Sequence, residues 1–178
     1  MFLELCQYQH LNPFLREAYL IKFSKDKAAD IVTGKDTFTQ RAEAHPAFDG
    51  MEAGIIVMRE EEEVQLRGSF KLPDDVLVGG WARVYRKDQR IPHEIPVALT
   101  QYHTGRSSWL KMPATMIRKV ALVQTLREAF PNILVGMYDS SEMGVELPDE
   151  EAPQPEVQRT PARAQAPATG VTPAQVRE

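Results

Sequence analysis

Residues 109–130, WLKMPATMIRKVALVQTLREAF, decide the fold. Pro113 marks where a helix opens, because the first helical turn needs no amide hydrogen there. At about 100° per residue, Met116, Val120, Val123, Leu126 and Phe130 fall on one apolar arc. Ile117, Ala121, Leu122 and Ala129 extend it almost to the opposite side. A helix apolar nearly all round is buried on most sides. It also carries Arg118, Lys119 and Arg127, and such charges are rarely buried without partners. Those partners are either protein carboxylates or the phosphates of a ligand. Lys119 and Arg127 lie about 80° apart and share a face, whereas Arg118 and Arg127 point opposite ways. One flat surface cannot use all three equally.

Upstream of this helix the pattern alternates with period two. EAGIIVMR (52–59) and VQLRGSFK (64–71) predict a hairpin with its tip at Glu60 to Glu63. The four carboxylates read as a solvated tip rather than a metal site, since neighbouring strand residues point to opposite faces. The second strand is expected to send Gln65, Arg67, Ser69 and Lys71 one way, and Val64, Leu66 and Phe70 the other. GGWARVYRKD (79–88) puts Trp81, Arg83, Tyr85 and Lys87 on one face, with Ala82 and Val84 towards the core. IPVALTQY (95–102) completes an antiparallel pair, with Pro92 and Pro96 marking an exposed or irregular edge. Basic and aromatic side chains alternating on one strand face can neutralise phosphates and stack on bases. Equally, Trp81 and Tyr85 can be core, with Arg83 and Lys87 reaching out to water.

Nearer the N-terminus, residues 1–16 read as the end of a helix, with Leu3, Cys6 and Leu11 apolar and Asn12-Pro13 terminating it. AYLIKFS (18–24) reads as a strand. IVTGKDTFTQRAEAH predicts a brief strand, a turn and a helix from Lys35 to Ala44, and Asp49-Gly50 marks the next turn. GMYDSSEM (136–143) predicts a final helical turn. Residues 147–178 hold 6 of the 13 prolines and no aromatic residue. Such a segment cannot bury enough apolar area to offset its chain entropy, so a disordered tail is expected after a domain spanning 1–146. The fold class is therefore α+β, an antiparallel sheet of hairpins with a long helix packed on it.

At 178 residues, with 43% hydrophobic and 26% charged residues, the chain has the makings of one domain with a real core. A single cysteine, Cys6, rules out an internal disulfide framework. No apolar run reaches about 18 residues and no basic-then-apolar leader opens the chain, so a cytoplasmic, non-membrane protein is expected. The net charge of −4 is unevenly distributed. Residues 1–66 carry 7 Lys+Arg against 12 Asp+Glu, residues 67–127 carry 11 against 4, and the remaining 51 carry 3 against 9. A basic middle between acidic flanks is the footprint of an anion-binding face.

Bond-making chemistry finds little support. Gly34-Lys35 lacks the upstream glycine of a phosphate loop, and no G-x-S-x-G elbow occurs. His10, His45, His93 and His103 show no metal-ligand spacing. Asp74, Asp75, His93 and Glu94 could join a nuclease site only if the fold gathered them. Neither a catalytic residue, a metal nor a cofactor is expected.

Five strings carry a resemblance: LNPFLREAYLIKF (11–23), IVTGKDTFTQRAEAHPAFDGMEAG (31–54), GGWARVYRKD (79–88), SSWLKMPATMIRKVALVQTLREAFP (107–131) and GMYDSSEM (136–143). Over about residues 1–146 the chain resembles the RecT/Redβ (Bet) single-strand annealing proteins of phage recombination. The resemblance implies ATP-independent binding of single-stranded DNA and its annealing to a complementary strand, in a bacterial host cell, by a phage- or prophage-encoded protein. It further implies a ring or helical homo-oligomer holding the new duplex, and a partner exonuclease or single-strand binding protein met through the C-terminal segment. Residues implied near DNA are Arg86, Lys87, Arg118, Lys119 and Arg127. The strand-face reading adds Arg83 and Tyr85, and the SSWLK string adds Trp109 and Lys111. Arg86 alternates away from Lys87, so one of them is expected to serve an interface or a structural pairing. The family carries further helices ahead of L-N-P-F, so this start implies a truncated product or a mis-assigned start. The alternative readings are a single-strand binding module that does not anneal, and a metal-dependent nuclease.

Overall fold

A computed structural model of the chain describes residues 2–15, 17–21, 30–105 and 107–142. The proline-rich tail expected from 147 onward lies outside the described residues, as do Lys22 and Phe23 of the first predicted strand. In chain order the elements are α1 (Phe2–Tyr8), β1 (Ala18–Ile21), β2 (Asp30–Thr33) and α2 (Lys35–Glu43). Then follow β3 (Phe48–Arg59), β4 (Glu62–Arg67), β5 (Val76–Arg86) and β6 (His93–Ala98). The last are α3 (Leu99–Tyr102), α4 (Ser107–Lys111), α5 (Pro113–Ala129) and α6 (Pro131–Leu134). The α+β class holds: a four-stranded antiparallel sheet in the order β4-β3-β5-β6, a separate β1-β2 hairpin, and helices around them.

The long helix lies where its composition demands. Pro113 is at its N-terminal turn, and Ile117, Val120, Ala121, Leu122, Val123, Leu126 and Ala129 are all buried. It rests on the sheet face formed by Ala53, Ile55 and Val57 of β3 and Ala82 and Val84 of β5, which are buried in the same core. Contact is close enough to require glycine. A Cβ on Gly80 would stand 2.7 Å from the Ile117 carbonyl oxygen, a backbone atom that cannot swing aside. Arg41 of α2 donates to the carbonyls of Gln9 and, at 3.2 Å, Ile133, tying the turn after α1 to α6.

Several boundaries differ from the sequence expectation, each for a local reason. The first helix stops at Tyr8, four residues before Asn12, and His10 takes a left-handed φ of 52°. Asp49-Gly50 is a bulge inside β3 rather than a turn: the register with β5 slips between Phe48 and Gly50, and Gly50 takes a φ of 129°. The β3–β4 tip is Glu60-Glu61 alone, with φ of 50° and 68°, while Glu62 already pairs with Arg59. A two-residue tip with both φ positive suits Asn-Gly, so two glutamates there cost about 1–2 kcal/mol each. β4 ends at Arg67, where Gly68 takes a φ of 81°, and Phe70 is left exposed instead of joining the core. The last predicted strand gives way at Ala98, and Leu99–Tyr102 turn helical. β6 is an edge strand, as Pro92 and Pro96 suggested. Of the final helical turn expected in 136–143, the described residues 137–139 are irregular and 140–142 form a turn, while the helix α6 precedes them.

Candidate nucleic-acid interface

The register of the sheet defines its second face. Arg83 faces Glu52 on one neighbouring strand and Glu94 on the other, and Trp81 faces Gly54 and Pro96. Glu52 and Arg67 bond at 2.5 Å, Arg83 and Glu94 at 2.8 Å, and Arg83 also lies 3.9 Å from Glu52. The row Arg67–Glu52–Arg83–Glu94 thus crosses all four strands with alternating sign. Glu94 is the main influence holding the Arg83 guanidinium above its ordinary pKa, with Tyr85 adding to it. Trp81 fills the space of the missing Gly54 side chain, whose Cβ would stand 2.6 Å from the indole Nε1; it is only 5% exposed, and its indole donates to the Leu66 carbonyl at 3.3 Å. Trp81 is thus buried, as the second reading of this strand had it, whereas Tyr85 is half-buried and Arg83 is held by Glu94 instead of reaching out to water. Arg83 covers the indole, 5.6 Å from the ring centroid.

Arg86 and Lys87 part company at the end of β5. Arg86 chelates Asp88 through two bonds of 2.9 and 2.6 Å, sits 4.9 Å from the Phe130 ring, and donates to the Ala129 carbonyl. It caps the C-terminus of α5, where a cation complements the helix dipole. Lys87 is exposed and, among the described residues, its ammonium reaches only the Pro46 carbonyl, at 3.5 Å. Trp109 is 1% exposed and packs edge-on against His103, so its ring offers no face for stacking. Its indole N–H is buried without a hydrogen-bond partner among the described residues. Lys111, at the end of α4, is exposed.

On α5 the three cations divide as the helical wheel requires. Lys119 meets Asp139 at 3.0 Å, and Arg127 chelates Glu142 at 2.8 and 2.7 Å. Both acids belong to the segment after α6, which crosses the helix on that side. Asp139 is fully buried and Glu142 nearly so. Burial works against the Arg127 charge, and Glu142 outweighs it, leaving the guanidinium above its ordinary pKa. Arg118 lies on the side of the helix opposite Arg127. Its Nε donates to the Ala53 carbonyl at 3.2 Å, and no carboxylate among the described residues pairs with it. That carbonyl also accepts the Gly68 amide at 3.0 Å, just past the end of β4, so Arg118 shares it with the backbone.

Arg118 lines a cleft of about 460 Å³ together with Lys119, Thr115, Tyr19, Gln40 and the N-terminal turn of α2. Gly34, the residue capping α2, supplies no side-chain bond to the helix amides. Lys35 reaches Asp36 at 3.0 Å, and Glu17 is occupied by the Asn12 amide at 2.7 Å. A half-buried guanidinium without an acid, beside open helix amides, is suited to an oxyanion. Sequence reasoning missed Lys35 and Gln40 of this cleft; Gly34-Lys35 drew notice only as a failed phosphate loop. The four residues weighed as a nuclease site do not converge. Asp75 bonds Arg59 at 2.7 Å, Glu94 belongs to the row on the sheet, and His93 meets Gln89.

Among the described residues no helix is long and apolar enough to cross a membrane. A family model described as the RecT family matches residues 1–158. An uncharacterized protein of Ureaplasma parvum serovar 3, UU154, is 28% identical over 156 residues, covering 85% of this chain and 64% of that protein. The chain thus spans a little under two thirds of the length of that relative.

Proposed function

The chain belongs to the RecT family, a family of recombination and strand-annealing proteins, and from that premise we propose that it binds single-stranded DNA and anneals complementary strands without nucleotide hydrolysis. The observation that carries the reading is Arg118, a half-buried cation that no described carboxylate neutralises, set in a cleft with Lys119 and the start of α2. Two strands repel one another through their phosphates, and cations that displace counterions lower that repulsion. Contacts made to the backbone leave base edges free to test pairing. Lys111, one turn ahead of α5, extends the cationic edge. Arg83 and Arg86 serve the fold in this reading, through Glu94 and Asp88, and Trp109 serves the core.

The test is anisotropy of a labelled oligonucleotide across a salt series. Arg118→Gln is expected to weaken binding about tenfold and to flatten the log–log salt slope by about 0.7, the contribution of one phosphate contact on a single strand. Unchanged affinity and slope would remove Arg118 from the interface. In a parallel assay, the protein should speed annealing of complementary oligonucleotides with no nucleotide present, less so as salt rises. Tight binding with no acceleration would leave a binding module that does not anneal.

A further inference from the structure

The two ends of the four-stranded sheet differ in charge and share exposed apolar surface. At one end stand Glu60, Glu61, Glu62 and Glu63, all exposed and none in an ion pair among the described residues. Beside them, Leu72 and Val76 are 45% and 62% exposed, and Phe70 in the same loop is 77% exposed. The pairing of Val76 with Met58, and the Leu72 amide on Asp75, place Val76 and Leu72 at the tip end of β3. At the other end, the turn from β5 to β6 exposes Lys87 and Arg90 next to Ile91, itself 80% exposed. Neither cation has a carboxylate partner among the described residues, whereas Arg86 is consumed by Asp88. β5 is 11 residues long, so the ends lie about 35 Å apart.

From this we infer that the sheet ends are the two halves of one interface, the acidic tip of one copy docking on the Lys87–Arg90–Ile91 turn of the next. The proposal rests on the annealing reading only for its purpose; the contact itself stands on complementarity. Apolar side chains beside charged groups of opposite sign fit the pattern of an apolar centre with a polar rim. A symmetric tip-to-tip pairing would bring eight carboxylates together, and a turn-to-turn pairing four cations, so charge selects the head-to-tail arrangement. Each docked copy leaves one tip and one turn free. Such a heterologous contact extends into a ring or an open helix. It also gives Lys87 a task separate from Arg118, from which it is removed by most of the length of α5.

Charge exchange tests this. One variant carries Glu60→Lys, Glu61→Lys, Glu62→Lys and Glu63→Lys; the other carries Lys87→Glu and Arg90→Glu. Sedimentation velocity at low salt, with and without a single-stranded oligonucleotide, is expected to show wild type assembled and each variant at the monomer value. Mixed in equal amounts, the variants should recover at least half the assembled fraction, because each now complements the other at both ends. A DNA-binding defect from Lys87 would not be repaired by such mixing. Assembly of either variant like wild type, failure of the mixture to recover, or a wild type that stays monomeric in every condition would overturn the interface. Should either reversed variant fail to fold by circular dichroism, the corresponding glutamine set is used, with a reduced assembled fraction expected and an undiminished one counting against the contact. Assembly without annealing would sink the functional reading and leave the interface standing.

Discussion

Asp75 is a nearly fully buried carboxylate gripped by the Arg59 guanidinium at 2.7 and 2.8 Å and by the Leu72 amide at 2.9 Å. The bond from Arg59 is the largest influence, and together these hold the carboxyl at about 2, below its ordinary 3.8. A carboxyl depressed in the folded state contributes its full stability above the unfolded value and loses it as the pH falls through the folded one. Acid unfolding should therefore steepen between pH 3.8 and about 2, and Asp75→Asn should flatten that segment while lowering the melting temperature at neutral pH. A parallel acid limb in the variant would show that Asp75 is not the titrating group. Arg59 and Asp75 were each visible in the sequence, but not as a pair. The loop that joins them has no periodicity, and only the early end of β4 at Gly68 turns it back across the sheet.

α5 was the most legible element, and its cations the least. Proline at the first turn and an apolar circumference announce a buried helix whatever surrounds it. The wheel separated Arg118 from Arg127, since angular position is local. What neutralises each cation is not local. Asp139 and Glu142 arrive from beyond α6, and nothing in their own neighbourhood shows that they return to α5. Burial of Trp81 stayed one of two open readings for a similar reason, because the vacancy it fills belongs to Gly54 on the adjacent strand. These pairs also make a prediction. Glu142→Gln would leave Arg127 with the Met137 carbonyl at 3.3 Å as its hydrogen-bond partner on that segment. Stability in urea should fall by about 1.5–3 kcal/mol, the worth of hydrogen bonds to a charged group. On the DNA-binding reading, affinity for a single strand should rise and the salt slope steepen by about 0.7. Lost stability with unaltered DNA binding would make Arg127 purely structural.

Across the whole molecule, one core joins parts the sequence presented separately. Cys6 and Leu11, Ala18, Phe38 and Ala42, the inner face of the sheet and α5 belong to a single buried cluster. The described region should then unfold as one unit. Both tryptophans report on it, since Trp81 and Trp109 are buried on different elements. Indole fluorescence and far-ultraviolet circular dichroism are expected to give coincident denaturation curves, and separate midpoints would divide the molecule into independently stable parts. Class and layer order were legible because apolar periodicity is imposed by the core. Strand ends and tip length were less so, being set by glycine conformations and pairing register.

The row of alternating charges across the sheet has a consequence for any polyelectrolyte that approaches. Positive and negative neighbours a few ångströms apart cancel within a short height, so the broad side of the sheet is electrically quiet despite its arginines. Among the described residues, attraction survives where the cancellation is incomplete, as at the cleft mouth and at the exposed Lys111. A strand carrying a uniform line of negative charge would then be drawn along the margin of the molecule, and the central platform would remain unoccupied by it.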